Sequence, residues 1–444
     1  MPSSTWNLPH IARGAVLEVA GIEESVAAAS PLLGKTVAVV HAAWHSCGSY
    51  QVNAAQLTAY KALGARVISI AMMDDLSPPA PKGGRWPGYL AASKDLPADR
   101  RFFTATSHRS LVSSGLLREG WLPLIHGDQA RWLIEIAKRV PVPQGLETER
   151  IDLIHANHYF TLPLALRLGG ERNIPVILET QDIQARQYAL RNRGGFFLRP
   201  YASYDQMLAL ELGWTARADL CVHLNEEEFL EFGRLLPQAR HALVYPATEP
   251  APLSRGRDIV IVASDNYGNY LSLRWFLEEV LPLAGDVELA IYGNIDKGVK
   301  NRDAALYEAH KALFMGRVDD IGAVYAATGC ILLPTTEGHG LSIKAVEALS
   351  SGALLIATPQ AFRGMGVDPG SLSNVILRQD AAGFAQALLD IRARLLSGAL
   401  QPPGADSDTK RLYDRAFSPQ AYAKALARCA VPLVAEAASA STPP

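Results

Sequence analysis

Between Thr335 and Gly352 the chain reads TTEGHGLSIKAVEALSSG, and most of its chemistry-bearing side chains in that window are of kinds that suit a sugar phosphate. Glu337 and Glu347 are carboxylates that accept hydrogen bonds from sugar or ribose hydroxyls, and Lys344 adds a mobile positive charge. Gly338 and Gly340 let the backbone approach a ligand closely. Leu341 and Ser342 lead into a helix, whose free N–H groups and dipole favour a phosphate. The elements that must hold these groups are legible around them. A buried strand is predicted at Ile331 to Pro334, a helix from about Ser342 to Ser350, a stop at Gly352 and a second strand from Ala353 to Thr358. That βαβ unit describes a site for a nucleotide-linked sugar, although a strand, a glycine turn and a helix occur in any α/β domain.

The combination resembles the donor-binding signature of retaining GT-B glycosyltransferases of the family 4 type. Glu337, Gly338, Gly340, Leu341, Glu347, Ala348 and Gly352 occupy the places of that pattern, with nine residues between the two glutamates where the commonest form has seven. The branch that carries Gly-x-Gly-Leu-x-x-Lys-x-x-Glu-Ala-Leu is matched by Gly338, Gly340, Leu341, Lys344, Glu347, Ala348 and Leu349. The run SDNYGNYLSLRWFLEEVLP from Ser264, with the later YGN and MGRVDD, is similar to the donor domain of the same branch. The resemblance implies that the Gly268 turn, with Asn266 and Asn269, faces the diphosphate, that the backbone at Arg317 and Val318 holds the base, and that Glu347 takes the ribose hydroxyls. Relatives often place Arg and Lys just after the first strand of this domain. Here Asn266 and Asn269 stand there, with Arg274 on the helix, so either Lys344 and Arg274 share the neutralisation of the diphosphate or the diphosphate is bound more weakly than usual.

The first half supplies a second set of candidates. Thr36 to His41 is a buried-strand run that ends in a small-residue loop with Gly48 and Ser49, where open α/β sheets bind ligands, and the resemblance implies that this loop lies in the cleft near the acceptor. Ile151 to Ala156 and Pro175 to Glu179 are further strands, and their ends deliver His155, His158 and Asp182 to one edge. His158 and Asp182, with Glu337 from the second half, are the catalytic candidates; His155, inside a strand pattern, reads better as a buried structural imidazole. Relatives often carry His-Asp where this chain has Gln181-Asp182.

The expected architecture is α/β and of GT-B type: two doubly wound Rossmann-like domains facing across a cleft, with C-terminal helices crossing back to the first. The expected boundaries are an extension at 1–33, an acceptor domain at 34–245, a Pro-rich linker at 246–257, a donor domain at 258–410, crossover helices at 411–437, with a break at Pro432, and a disordered tail at 438–444. The chain of 444 residues, 49% of them hydrophobic, has the length for two cores. A net charge of −2 gives no drive toward nucleic acid. Cys47, Cys221, Cys330 and Cys429 have no metal-like spacing, no run approaches the roughly 18 apolar residues that cross a bilayer, and reduced thiols in a cytoplasmic protein are expected. The basic and aromatic segment from Arg191 to Tyr204 leaves peripheral contact at an inner membrane open.

The reading is therefore a bacterial, metal-independent hexosyltransferase, with the nucleotide-diphosphate sugar as substrate, no cofactor, and a glycan, glycolipid or polysaccharide precursor as acceptor. Retention of configuration is implied by the resemblance alone. Metal independence follows from the lack of a DxD-type motif at a strand end, since Asp74-Asp75 and Asp319-Asp320 read as surface turns. Two alternatives stand beside it: a GT-B nucleotide-sugar epimerase, and a non-catalytic binding protein.

Overall fold

The computed structural model describes residues 30–45, 48–74, 85–170, 173–193, 197, 200–338 and 340–440. The extension at 1–29, Gly194, Gly195, Phe196, Arg199, His339 and the tail at 441–444 lie outside the described residues.

Among the described residues, thirteen short strands form two wholly parallel sheets. The first contains β1 (Thr36–Ala42), β2 (Arg66–Met72), β3 (Arg100–Thr104), β4 (Leu153–Asn157), β5 (Val176–Glu179), β6 (Leu220–His223) and β7 (His241–Leu243), in the order β3-β2-β1-β4-β5-β6-β7. The second contains β8 (Asp258–Val262), β9 (Ala290–Tyr292), β10 (Phe314–Gly316), β11 (Thr328–Leu333), β12 (Leu354–Ala357) and β13 (Val375–Leu377), in the order β10-β9-β8-β11-β12-β13. In each sheet the strand order reverses beside the first strand, β1 against β4 and β8 against β11. Ligand crevices open at the carboxyl ends of strands at such a reversal.

The near-continuous apolar runs of the central strands follow from burial on both faces. In β1, Ala38 and Val40 enter one core with Trp132, Phe160 and Tyr188, while Val37 and Val39 enter another with Leu57, Tyr60 and Leu426. In β8, Ile259 and Ile261 face Phe276 and Phe384, while Val260 and Val262 face Tyr325, Leu349 and Tyr413.

The chain end ties the two halves. The helix Asp408–Ala416 packs Leu412 and Tyr413 into the second domain, and the helix Pro419–Ala440 then packs Tyr422, Leu426, Ala430 and Leu433 against the first. Pro432 does not break this last helix, contrary to expectation. Ala427 and Ala430 before it, and Leu433 and Val434 after it, are buried in one core, and that shared burial outweighs the backbone bond lost at proline. The helix also runs through 438–440, which the sequence assigned to a tail.

Two segments that read as loose are pinned. In the Pro-rich linker, Ala251 N–H donates to Ser350 Oγ at 2.8 Å, Ser254 N–H to the Ser351 carbonyl and Arg255 N–H to the Ala326 carbonyl. In the segment from Ser397 to Ser407, which reads from the sequence as a flexible break after the helix of Ala381 to Leu396, Gly404 N–H donates to the Gly352 carbonyl at 3.0 Å.

Candidate functional site

The helix Ile343–Ser351 begins where Ser342 Oγ accepts a hydrogen bond from Ala345 N–H, and ends at Gly352, whose φ of 66° is left-handed. A side chain at Gly352 would place its Cβ 2.1 Å from the Gly404 carbonyl oxygen, so both conformation and space require glycine. Between these caps Ala345, Val346, Ala348 and Leu349 are buried, and the opposite face turns Lys344 and Glu347 outward. The Glu347 carboxylate is fixed from two sides. Tyr325, itself buried, donates from its hydroxyl to Oε2 at 3.0 Å, and Lys344 Nζ lies 3.0 Å from Oε1 and 2.7 Å from Oε2. Burial and the adjacent Glu347 charge hold the Tyr325 hydroxyl well above its ordinary pKa, so it stays a donor.

Glu347, Gly340, Leu341, Ile321 and Tyr325 form one wall of a cleft of about 1200 Å³ between the domains. Pro246 to Pro252 of the linker, with Gln420, Tyr422 and Ala423 of the last helix, close its base, and the first domain forms the other wall. That wall holds His158 and Asp182, together with Gly48, Ser49, Gln181 and Glu228. The cleft thus brings seven of the sequence candidates together: Gly48, Ser49, His158, Asp182, Gly340, Leu341 and Glu347.

His158 sits just past β4 with a φ of 65°, a strained position for a residue with a Cβ. Its ring stacks on Phe160 at 5.1 Å, its Nε2 lies 3.3 Å from Ser49 Oγ, and its Nδ1 is buried with no protein partner. Burial lowers its pKa to about 3, so it is neutral near pH 7. Asp182 is shifted the other way: burial raises its pKa, against hydrogen bonds from Gln184 and Gln187 and the positive charges of Arg191 and Arg186. Glu228 is pushed to about 7 by burial and by Asp182, while it accepts from Ile183 N–H at 3.2 Å and Asn225 Nδ2 at 2.9 Å. Glu211 accepts from the backbone N–H groups of Gln184 and Ala185 and so caps the helix Gln184–Arg193, which carries Gln184, Arg186 and Leu190 along the wall.

Behind the wall lies a buried polar network. His155, fully buried, accepts or donates through Nδ1 to the Tyr60 hydroxyl at 2.8 Å, and its Nε2 is 3.8 Å from Glu179. This is the structural imidazole that the strand pattern suggested. Asn157 Oδ1 accepts from Gln56 Nε2 and from Gln181 Nε2, and Glu179 Oε1 accepts from Gln181 Nε2 at 2.8 Å. Gln181, with a φ of 66°, is thereby held at the cleft surface by its own side chain.

The candidates after β8 and β10 do not line the cleft. Asn266 caps the helix Tyr267–Trp275 by accepting from Asn269 N–H, and Asn269 Nδ2 donates to the Ser264 carbonyl. Gly268 packs on the neighbouring ligand loop, since a Cβ there would lie 3.5 Å from the Glu337 carbonyl oxygen. Arg317 and Val318 follow β10 at the outer edge of the second sheet. The nearby cleft wall is built by Ile321, Gly322 and Tyr325, on the helix that Asp320 caps. Arg274 pairs with Glu278 at 2.9 Å. Sequence reasoning missed Tyr325 and Glu228 altogether. Tyr325 lies on the short Ile321–Ala327 helix, where nothing in the sequence marked it as a partner of Glu347. Among the described residues no three His, Cys, Asp or Glu side chains group as a metal site, and no helix is long and apolar enough to cross a membrane.

Residues 256–393 match the sequence profile of the family described as Glycosyl transferases group 1. That segment is similar to glycosyl transferases group 1 domains. The whole chain superposes on a sucrose-phosphate synthase from Thermosynechococcus elongatus with a TM-score of 0.55 at 15% identity, covering 90% of this chain and 100% of that one. The Anabaena protein HepE in complex with UDP gives a TM-score of 0.56 at 11% identity over 89% and 99% of the two chains. The α,α-trehalose 6-phosphate synthase of Burkholderia multivorans gives 0.52 at 12% over 93% and 99%. The fold is that of GT-B glycosyltransferases. No curated protein sequence matches the chain.

Proposed function

We propose that this protein transfers a hexosyl group from a nucleoside-diphosphate sugar, held by the second domain, to a hydroxyl of a glycan, glycolipid or polysaccharide precursor presented by the first. The observation that carries the reading is the Glu347 carboxylate, braced by Tyr325 and Lys344 on the wall of an interdomain cleft whose far side holds His158 and Asp182. A braced carboxylate suits the two ribose hydroxyls, and the start of the Ser342-capped helix suits a phosphate. A donor lying between them would extend its sugar toward His158, which is neutral and can exchange a hydrogen bond with a sugar hydroxyl. Glu337, with a backbone carbonyl beside Gly268, belongs to the loop that would border the sugar.

Retention of configuration, the family 4 type, independence of metal, absence of a cofactor and a cytoplasmic setting with peripheral contact at a membrane belong to the same proposal. The neighbours in structure include a protein crystallised with UDP-glucose, which supports a nucleotide-sugar donor. The test is a thermal-shift screen of UDP, GDP, ADP, TDP and their sugar conjugates on the wild-type protein, Glu347→Ala and Lys344→Ala. A ligand that binds only the native state at a hundredfold excess over Kd adds about 2.7 kcal/mol of stability. A shift with one base that both variants lose supports the donor site; no shift with any nucleotide at millimolar concentration overturns it.

A further inference from the structure

We propose that Arg363, on the loop after β12, is the cation that meets the diphosphate of the donor. The inference rests on the donor site proposed above and answers a question that site leaves open. The turn after β8 offers two asparagines already used in local hydrogen bonds, and Arg274 is paired with Glu278.

Arg363 follows the short turn Pro359–Phe362 and lays its guanidinium on Gly338. A Cβ at Gly338 would lie 2.8 Å from Nη2 and 3.1 Å from Cζ, so a side chain there would displace the arginine. The same loop is fastened again by Gln360 Nε2, which donates to the Gly338 carbonyl at 3.3 Å. The guanidinium is poorly satisfied by the protein. Nη1 donates to the Gln360 carbonyl at 3.1 Å, Nε is buried with no acceptor, and no carboxylate among the described residues lies within ion-pair distance. Burial works against its charge, and only Glu227 on the opposite wall of the cleft favours it. A half-buried guanidinium without a counter-ion is costly, and an anion that completes its fork removes the cost.

Its loop is held where the two domains meet. Glu226 N–H donates to the Gly364 carbonyl at 3.0 Å, and Gly364 packs on Asn225, which lines the cleft. Arg363 therefore stands at the seam, against the glycine loop that continues into Gly340 and Leu341 of the cleft wall. A diphosphate at the start of the Ile343–Ser351 helix would have this planar fork on its other side, and guanidinium matches phosphate geometry better than ammonium does.

Calorimetric titration of wild type, Arg363→Gln and Arg363→Lys tests this, using whichever of UDP, GDP, ADP and TDP the wild type binds best, and the matching nucleoside. The expected result is a loss of diphosphate affinity of about ten- to a hundredfold in Arg363→Gln, the range of a hydrogen bond to a charged group. Arg363→Lys should recover part of it, and nucleoside affinity should be the same in all three proteins. Equal diphosphate affinity in wild type and Arg363→Gln, or a parallel loss of nucleoside and diphosphate, would make Arg363 a brace of the domain seam and overturn the proposal while the donor site stands. Wild-type protein that binds none of the four diphosphates would instead remove the donor-site reading itself, and this proposal with it.

Discussion

Glu347 can serve as a ligand group only if its carboxylate holds one orientation, and Tyr325 is the neighbour that fixes it without competing for charge. Tyr325→Phe removes a single hydrogen bond of 3.0 Å and leaves the ring in its core. The expected effect is a loss of about 1 kcal/mol in nucleoside-diphosphate binding, or roughly fivefold in Kd, with little change in melting temperature. Calorimetry checks it; unchanged affinity would mean that Lys344 alone positions the carboxylate. His158 makes a prediction about pH. Its folded-state pKa of about 3 lies below the working range, so the imidazole does not titrate between pH 5.5 and 8. A pH profile of kcat/KM should carry no inflection that disappears in His158→Gln. An inflection near pH 6.5 that this variant abolishes would show that His158 works as an imidazolium.

The Ile343–Ser351 helix is the element on which the donor side depends, and its two ends differ in what they contribute. Ser342→Ala removes the N-cap hydrogen bond and should lower stability by about 1 kcal/mol. Gly352→Ala should cost more, because it meets both a φ of 66° and a carbonyl oxygen 2.1 Å from the new Cβ. Urea unfolding of the two variants orders them; a Gly352→Ala protein as stable as wild type would mean that the Gly404 turn moves aside freely. Since Gly404 belongs to the approach to the last two helices, strain at Gly352 falls on the connection between the domains as well as on the site.

At the scale of the whole molecule, the buried network behind the cleft joins the strand ends, the Gly48–Ala62 helix and the last helix. Glu179 lies at its centre, fully buried, and burial raises its pKa to about 8, against a hydrogen bond from Gln56. The unfolded chain releases this proton near pH 4.5, whereas the folded protein keeps it to about pH 8. The folded state therefore binds more protons in that window, and the contribution of Glu179 to stability falls as pH rises from about 5 to 8. Glu179→Gln keeps the donors and shape of the protonated acid and removes the titration. Melting temperatures at pH 5, 6.5 and 8 should show the variant gaining on wild type as pH increases, with the other ionisable groups cancelling in the difference. A constant gap across that range would mean that Glu179 is ionised in the folded protein.

Periodicity and punctuation in the sequence were enough to establish the parallel α/β character of both halves and the strand–loop–helix of residues 331–352, while the return of the last helix was implied by the family resemblance. Apolar runs, capping residues and glycine stops act over a few residues, so they are legible locally. Gly352, for example, was readable as a helix stop, while the carbonyl of Gly404 that forbids any other residue there comes from 52 positions later. The same limit applies to Asn266, Asn269 and Arg274, which have the chemistry of ligand groups: only the folded turn reveals that Asn266 accepts from Asn269 N–H, that Asn269 donates to the Ser264 carbonyl and that Arg274 pairs with Glu278. Tyr325 and Arg363 have no local signature at all, because what gives them meaning is a carboxylate and a glycine brought to them by other strands. Local chemistry was written in the sequence; which groups meet across the cleft was decided by packing between distant segments, where a side chain's role depends on partners that its own neighbourhood does not encode.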